Sequence, residues 1–198
     1  MRAWRTDATY PVSGAPKGLR IHSGFDVLWN SSSMATTFLG AYGRLHAAHP
    51  RAATYVLGHS MGGALAHLCA LDIRARHDPP DLRVLTFGSP RVGNSVFADF
   101  FEQHVAESWR FTHGRDIVPS LPPTIMGFRH VSREVWVVAL DPARGGGGGG
   151  APQEQLVICD ESGEDPTCHA SVCHLGLCTS IADHLTYLGE MMMADGTC

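Results

Sequence analysis

The chain has 198 residues, 44% of them hydrophobic and 17% charged, a balance that suits one folded domain over residues 1–198 and argues against disorder or a coiled coil. Its formal net charge is −4 with only 15 Lys and Arg, and no basic run tracks a phosphate backbone, so nucleic acid is not an expected partner. No stretch approaches the roughly 18 consecutive apolar residues that span a bilayer, and Met1 to Arg5 leads into Thr6-Asp7-Ala8-Thr9, so neither a transmembrane segment nor a signal peptide is read in this chain.

The first thirty residues read as loops and short strands, punctuated by Pro11, Gly14, Pro16 and Gly18, with a strand expected at Leu19 to His22. From Ser32 to His46, Met34, Phe38, Ala41, Tyr42 and Leu45 recur at three- and four-residue steps, which predicts a helix with one apolar face, ended by Pro50. Thr54-Tyr55-Val56-Leu57 reads as a strand, and the near-continuous apolar set from Gly62 to Arg76 as a helix buried on most sides. Arg83 to Phe87 is a second buried strand closed by Gly88-Ser89-Pro90. Asn94 can cap a helix that runs through Glu107, because its side chain can accept from an N–H of the first turn. Ser108 to His113 and Glu134 to Leu140 are further strands, and Ser180 to Gly189 a last helix. Strands alternating with helices predict a mainly parallel α/β sheet. Gly145 to Gly150 cannot hold one backbone conformation and reads as a flexible surface insertion, since phosphate-binding loops mix Gly with Lys and Ser/Thr.

Gly58-His59-Ser60-Met61-Gly62 has the G-x-S-x-G pattern, between an expected strand and an expected helix. A Ser at the tip of that tight turn is strained and exposed, and bulky side chains two positions to either side would collide across it. The N–H of Met61 then shares the space of the Ser60 hydroxyl and can donate to an oxyanion. A serine needs a base to take its proton and an acid to orient that base, in the chain order Ser, Asp or Glu, His. His104, His113, His130, His169, His174 and His184 all follow Ser60, and spacing alone does not choose among them. Asp116 follows a predicted strand, where α/β sheets place their sites, although a turn-capping Asp fits the same position. Asp183 adjoins His184 but would point away from it on a helix.

Five ordered blocks resemble the fungal-type triacylglycerol lipase family, the class 3 lipases. They are His22-Ser23-Gly24-Phe25; Gly58 to Ala64; Thr86-Phe87-Gly88-Ser89-Pro90-Arg91-Val92-Gly93-Asn94; Arg115-Asp116-Ile117-Val118-Pro119 with Leu121-Pro122-Pro123, Gly127-Phe128 and His130; and Asp183 to Gly189. The resemblance implies an α/β-hydrolase fold with a central, mainly parallel sheet and flanking helices. It implies hydrolysis of carboxylic esters, with acylglycerols leading and feruloyl or short-chain esters as alternatives. It carries the catalytic triad onto Ser60, Asp116 and His184. No cofactor or metal is implied. The partner expected is a lipid or other ester substrate at a lipid–water interface, and the full-length form is expected to be secreted.

The family carries an earlier strand ending in an Arg-Gly-Ser/Thr segment, which supplies the second oxyanion donor and leads into a lid helix. This chain starts after that pattern, so it is expected to be N-terminally incomplete, with Trp4 in the later part of a lid-like segment. Losing one oxyanion donor typically costs about two to three orders of magnitude in turnover, and losing strands bares a sheet edge. The chain as written is therefore expected to be a poorer and less stable enzyme than a complete homologue, with a non-catalytic lipid- or partner-binding protein as the rival reading.

Cys69, on the helix after Ser60, reads as a buried free thiol. Cys159 with Cys168 resembles a family disulfide, Cys173 with Cys178 could close a short loop, and Cys198 resembles the family's C-terminal cysteine, leaving an odd count. The rival is zinc at Cys168, His169, Cys173, His174 and Cys178, disfavoured because the spacings are not those of a C-x-x-C knuckle.

Overall fold

A computed structural model describes residues 4–5, 15–139, 154–173, 178 and 180–192. The side chain of Trp4, the glycine run at 145–150, His174 and Cys198 lie outside them, so the expectations placed on these are not addressed. Strands β3 (Thr54–His59), β4 (Leu82–Phe87), β5 (Glu107–His113), β6 (Glu134–Ala139) and β7 (Glu154–Ile158) form a five-stranded sheet in that order. The first three pairings are parallel and β6–β7 is antiparallel. This is the mainly parallel α/β sheet that the strand–helix alternation predicts. Before it come β1 (Trp4–Arg5), antiparallel to β2 (Ile21–His22), and helices α1 (Ser23–Asn30) and α2 (Met34–Ala48).

Helix α3 (Met61–His77) organises the core. Its residues from Gly63 to Ile73 are buried except Leu65, against Val56 and Val84 of the sheet and Phe97 and Phe101 of α4 (Ser95–His104). Burying each of Leu68, Leu71 and Ile73 contributes about 1.5–3 kcal/mol. Trp29 of α1 donates its indole N–H to Asp72 Oδ2 at 2.7 Å, which ties α1 to this helix. Asp78 ends α3 in the left-handed region, and Arg74, Arg76 and His77 in the last turn face the negative end of the helix dipole. Asn94 caps α4 as expected, its Oδ1 accepting from Phe97 N at 3.1 Å, but α4 stops at His104 because Glu107 already belongs to β5.

Four elements differ from the sequence reading. Helix α1 occupies a stretch read as loops; His22 caps it by accepting from Gly24 N. The face of α2 carrying Met34, Phe38 and Leu45 is exposed, and Leu39 is the side chain that α2 buries. Strand β7 has little sequence signal, since it opens on Glu154-Gln155 and offers only Leu156-Val157-Ile158 as an apolar run. The expected helix over 180–189 is one turn, α6 (Ala182–Leu185), which follows the single turn α5 (His169–Val172) and gives way to the hairpin β8 (Thr186–Tyr187) and β9 (Glu190–Met191). Leu188 and Gly189 take positive φ at 53° and 79°, the backbone a two-residue hairpin turn requires.

Strand β3 lies at the edge of the described sheet. Its Val56 faces α3, whereas Tyr55 and Leu57 point to the opposite face and are exposed. Arg83 covers part of the Tyr55 ring at 5.5 Å, and Phe87 stacks on Phe111 along the same face.

Candidate active site

Three strand ends converge here. Strand β3 runs straight into α3 through Ser60, whose φ of 56° and ψ of −131° are strained for a residue with a side chain. Ser60 N donates to Phe87 O at 2.9 Å and Gly63 N donates to Ser60 O at 2.9 Å, so the turn is pinned on both sides. A Cβ on Gly58 would overlap the Gly62 carbonyl, and one on Gly63 would sit 2.7 Å from Ser89 Cβ. Gly62 itself has nothing within 4 Å of such a Cβ. The glycines required by sterics are therefore Gly58 and Gly63, not the pair that brackets Ser60 symmetrically. Met61 opens α3, where an N–H has no acceptor within the helix.

Ser60 Oγ lies 2.8 Å from His184 Nε2, and His184 Nδ1 lies 2.9 Å from Asp116 Oδ2. Asp116 Oδ2 can only accept here, so Nδ1 carries the proton and Nε2 is left to accept from the Ser60 hydroxyl. The residues are 56 and 68 positions apart along the chain, and the turn after β5, α6 and the Ser60 elbow bring them together. Of the candidate histidines among the described residues, His184 is the one that reaches Ser60. His104 bonds Phe100 O, His113 the carbonyls of Asp183 and Thr186, His130 the Pro119 carbonyl, and His169 the Asp116 carbonyl. Asp183 does point away from His184, accepting from Arg115 N at 2.7 Å.

Asp116 is fully buried and its carboxylate accepts three hydrogen bonds. Oδ1 accepts from Val118 N at 2.8 Å, and Oδ2 accepts from Tyr187 Oη at 2.6 Å as well as from His184. Burial, then the neighbouring Asp116 charge, raise the Tyr187 phenol above its ordinary range, so it stays a donor. Sequence reasoning missed Tyr187 because the segment read as a helix, which would have placed its ring elsewhere. It also missed Gly88, whose φ is 58° and whose added Cβ would lie 2.8 Å from Asp116 Oδ2, 2.9 Å from Tyr187 Oη and 3.0 Å from His184 Nδ1. His59 completes the setting by donating from Nε2 to the His184 carbonyl at 2.8 Å.

Beneath the Asp116 loop is a cavity of about 440 Å³, walled by Arg91, Arg110, His130, Glu134, Glu164 and His169 among others. Arg91 makes a two-pronged bond to Glu164, which holds that carboxyl below its usual range against the opposing pull of burial. Cys159 is joined to Cys168 and Cys173 to Cys178, and Cys69 is a buried free thiol that burial, then Asp72, push up to about 12.

Residues 1–126 match the model of the lipase (class 3) family. A lipase of Rhizomucor miehei is 33% identical over 196 residues, covering 96% of this chain and 49% of the relative. A secreted mono- and diacylglycerol lipase of Fusarium solani is 42% identical over 120 residues, covering 61% of this chain and 35% of the relative. Among solved structures, a triacylglycerol lipase whose catalytic centre is described as a serine protease triad superposes with a TM-score of 0.69 at 32% identity, over 89% of this chain and 62% of that one. The chain spans about half the length or less of the curated relatives it matches.

Proposed function

The chain belongs to the class 3 lipase family and shares its α/β-hydrolase fold, and from that premise we propose that it hydrolyses carboxylic esters of lipids, acylglycerols first, through a covalent acyl-enzyme. The observation that carries this reading is the unbroken chain of hydrogen bonds from Ser60 Oγ through His184 to Asp116 Oδ2 at a strained strand-to-helix turn.

In the proposed reaction Ser60 Oγ attacks the ester carbonyl as His184 Nε2 takes its proton, and Asp116 offsets the charge that forms on the imidazole. The Met61 N–H donates to the oxyanion. His184 returns the proton to the leaving alcohol, the acyl group stays on Ser60, and a water deprotonated by His184 then releases the acid. A lipid substrate suits the surface around these groups, because Met61 next to the nucleophile and Ile181 and Leu188 around the base are exposed apolar side chains. The two disulfides suit an oxidising compartment, and secretion of the intact protein is proposed on that ground and on the secreted relative.

A panel of nitrophenyl esters of increasing acyl length, given to the wild type and to Ser60→Ala, tests this. Hydrolysis that rises from short to medium acyl chains and disappears in Ser60→Ala is expected. Equal hydrolysis by both proteins removes Ser60 from the reaction, and a preference for feruloyl esters reassigns the substrate.

A further inference from the structure

Two groups of soft or acidic ligand atoms cluster within 4.8 Å among the described residues, both near the C-terminal cysteines. In the first, Cys159–Asp165–Cys168, the Asp165 carboxylate is already occupied, accepting from Asp160 N, Thr167 N and the Thr167 hydroxyl. The second, His169–Cys173–Cys178, is buried at all three positions and borders the cavity, whose wall includes His169 and Cys173. The spacing is not the C-x-x-C knuckle, but the fold brings the three together: His169 stands one helical turn before Cys173, and Cys173 and Cys178 form C-x4-C, the widest cysteine spacing typical of zinc sites.

In the oxidised chain these atoms are otherwise engaged. Cys173 and Cys178 are bonded to each other, and His169 Nε2 donates to the Asp116 backbone carbonyl at 2.8 Å while lying 3.2 Å from Cys173 Sγ. We propose that reduction of the Cys173–Cys178 disulfide opens a buried metal site for a soft divalent cation such as Zn²⁺, held by Cys173 Sγ, Cys178 Sγ and His169 Nε2, with water from the cavity in the fourth position.

The chemistry balances. A phosphine reductant breaks the S–S bond by giving two electrons, with two protons from water, and leaves as its oxide. Metal binding expels both thiol protons, and the His169 proton shifts from Nε2 to Nδ1. Two thiolates then neutralise the dication, so no net charge is buried. Nε2 cannot ligate and donate to Asp116 together, so loading withdraws a support from the loop that holds the candidate acid. That last consequence rests on the triad reading above; the metal site does not.

Co²⁺ serves as the probe, because thiolate ligation gives a charge-transfer band in the near ultraviolet. The phosphine-reduced chain is expected to bind one Co²⁺, displaced by Zn²⁺, and the oxidised chain none. The band is lost in Cys173→Ser/Cys178→Ser, binding weakens at least tenfold in His169→Ala, and His169→Cys, which supplies its own soft ligand, restores it. Reduced wild type that takes up no metal, whether folded or not, overturns the proposal. So does binding that survives in Cys173→Ser/Cys178→Ser, which would assign the metal to Cys159 and Cys168. Ester hydrolysis is read separately: metal bound without a fall in turnover refutes the link to Asp116 and leaves the site.

Discussion

Tyr187 Oη lies 2.6 Å from Asp116 Oδ2, the same oxygen that accepts from His184 Nδ1. Sharing one oxygen between the two donors fixes the carboxylate plane from the side opposite Val118 N. A hydrogen bond to a charged group contributes about 1.5–3 kcal/mol, and 1.36 kcal/mol is tenfold in rate. Tyr187→Phe is therefore expected to lower kcat about ten- to a hundredfold with KM unchanged. A change in KM alone, with kcat intact, would reduce Tyr187 to packing.

Asp116→Asn keeps the shape of the buried group and removes its charge. With Val118 N, Tyr187 Oη and His184 all poised to donate, the amide NH2 opposes at least one of them and favours the wrong imidazole tautomer. Turnover should fall about 10⁴-fold, as such a change does where a triad depends on its acid. Retention of a tenth of the activity would show that His184 is oriented by other groups, His59 at its carbonyl being the first to test.

How far the site was legible follows from how local each signal is. Ser60 could be read because the elbow's steric demands fall within a few residues, and the glycines record them. Asp116 and His184 needed the ordered blocks, since an Asp after a strand and a His near a helix suit many places. Tyr187 and Gly88 were not legible: one depends on a helix ending after a single turn, the other on the close approach of Asp116 and of the His184–Tyr187 segment, both remote from it in the chain. The central strands were read from their apolar runs, while α1 and β7 were missed because short, mixed segments owe their form to what they pack against.

Gly88 supplies a steric test. At φ 58° any side chain is strained, and here the Cβ also enters the space between Asp116, Tyr187 and His184. Gly88→Ala should cost at least a hundredfold in turnover, as expected when a catalytic group is displaced by about 1 Å. Gly62→Ala, where the Cβ meets nothing within 4 Å, should stay within a fewfold of wild type. Parallel assays of the two purified variants, with near-ultraviolet circular dichroism as the fold control, decide it; the opposite ranking would contradict the close packing of Gly88 against Asp116, Tyr187 and His184.

Two buried histidines outside the candidate triad make stability depend on pH. His67 and His130 are buried, their ring nitrogens donating to the Gly63 and Pro119 carbonyls at 2.8 Å. Burial, then the Arg110 charge, hold His67 down at about 3 and His130 well below 6.5. Both stay neutral in the folded chain while the unfolded chain takes up protons from 6.5 downward. More protons bound by the unfolded state means that stability rises with pH. The stabilisation is thus complete above 6.5 and is lost as pH falls toward the folded values. Each group costs about 1.4 kcal/mol per pH unit below 6.5. Urea denaturation between pH 6.5 and 5, above most carboxylate titration, should therefore show a steep fall in unfolding free energy. His67→Leu should lower that slope by an amount approaching about 1.4 kcal/mol per pH unit, whatever it does to the absolute stability. An unchanged slope in the variant would mean that His67 is protonated in the folded chain, at odds with its burial against Phe101 and near Arg110.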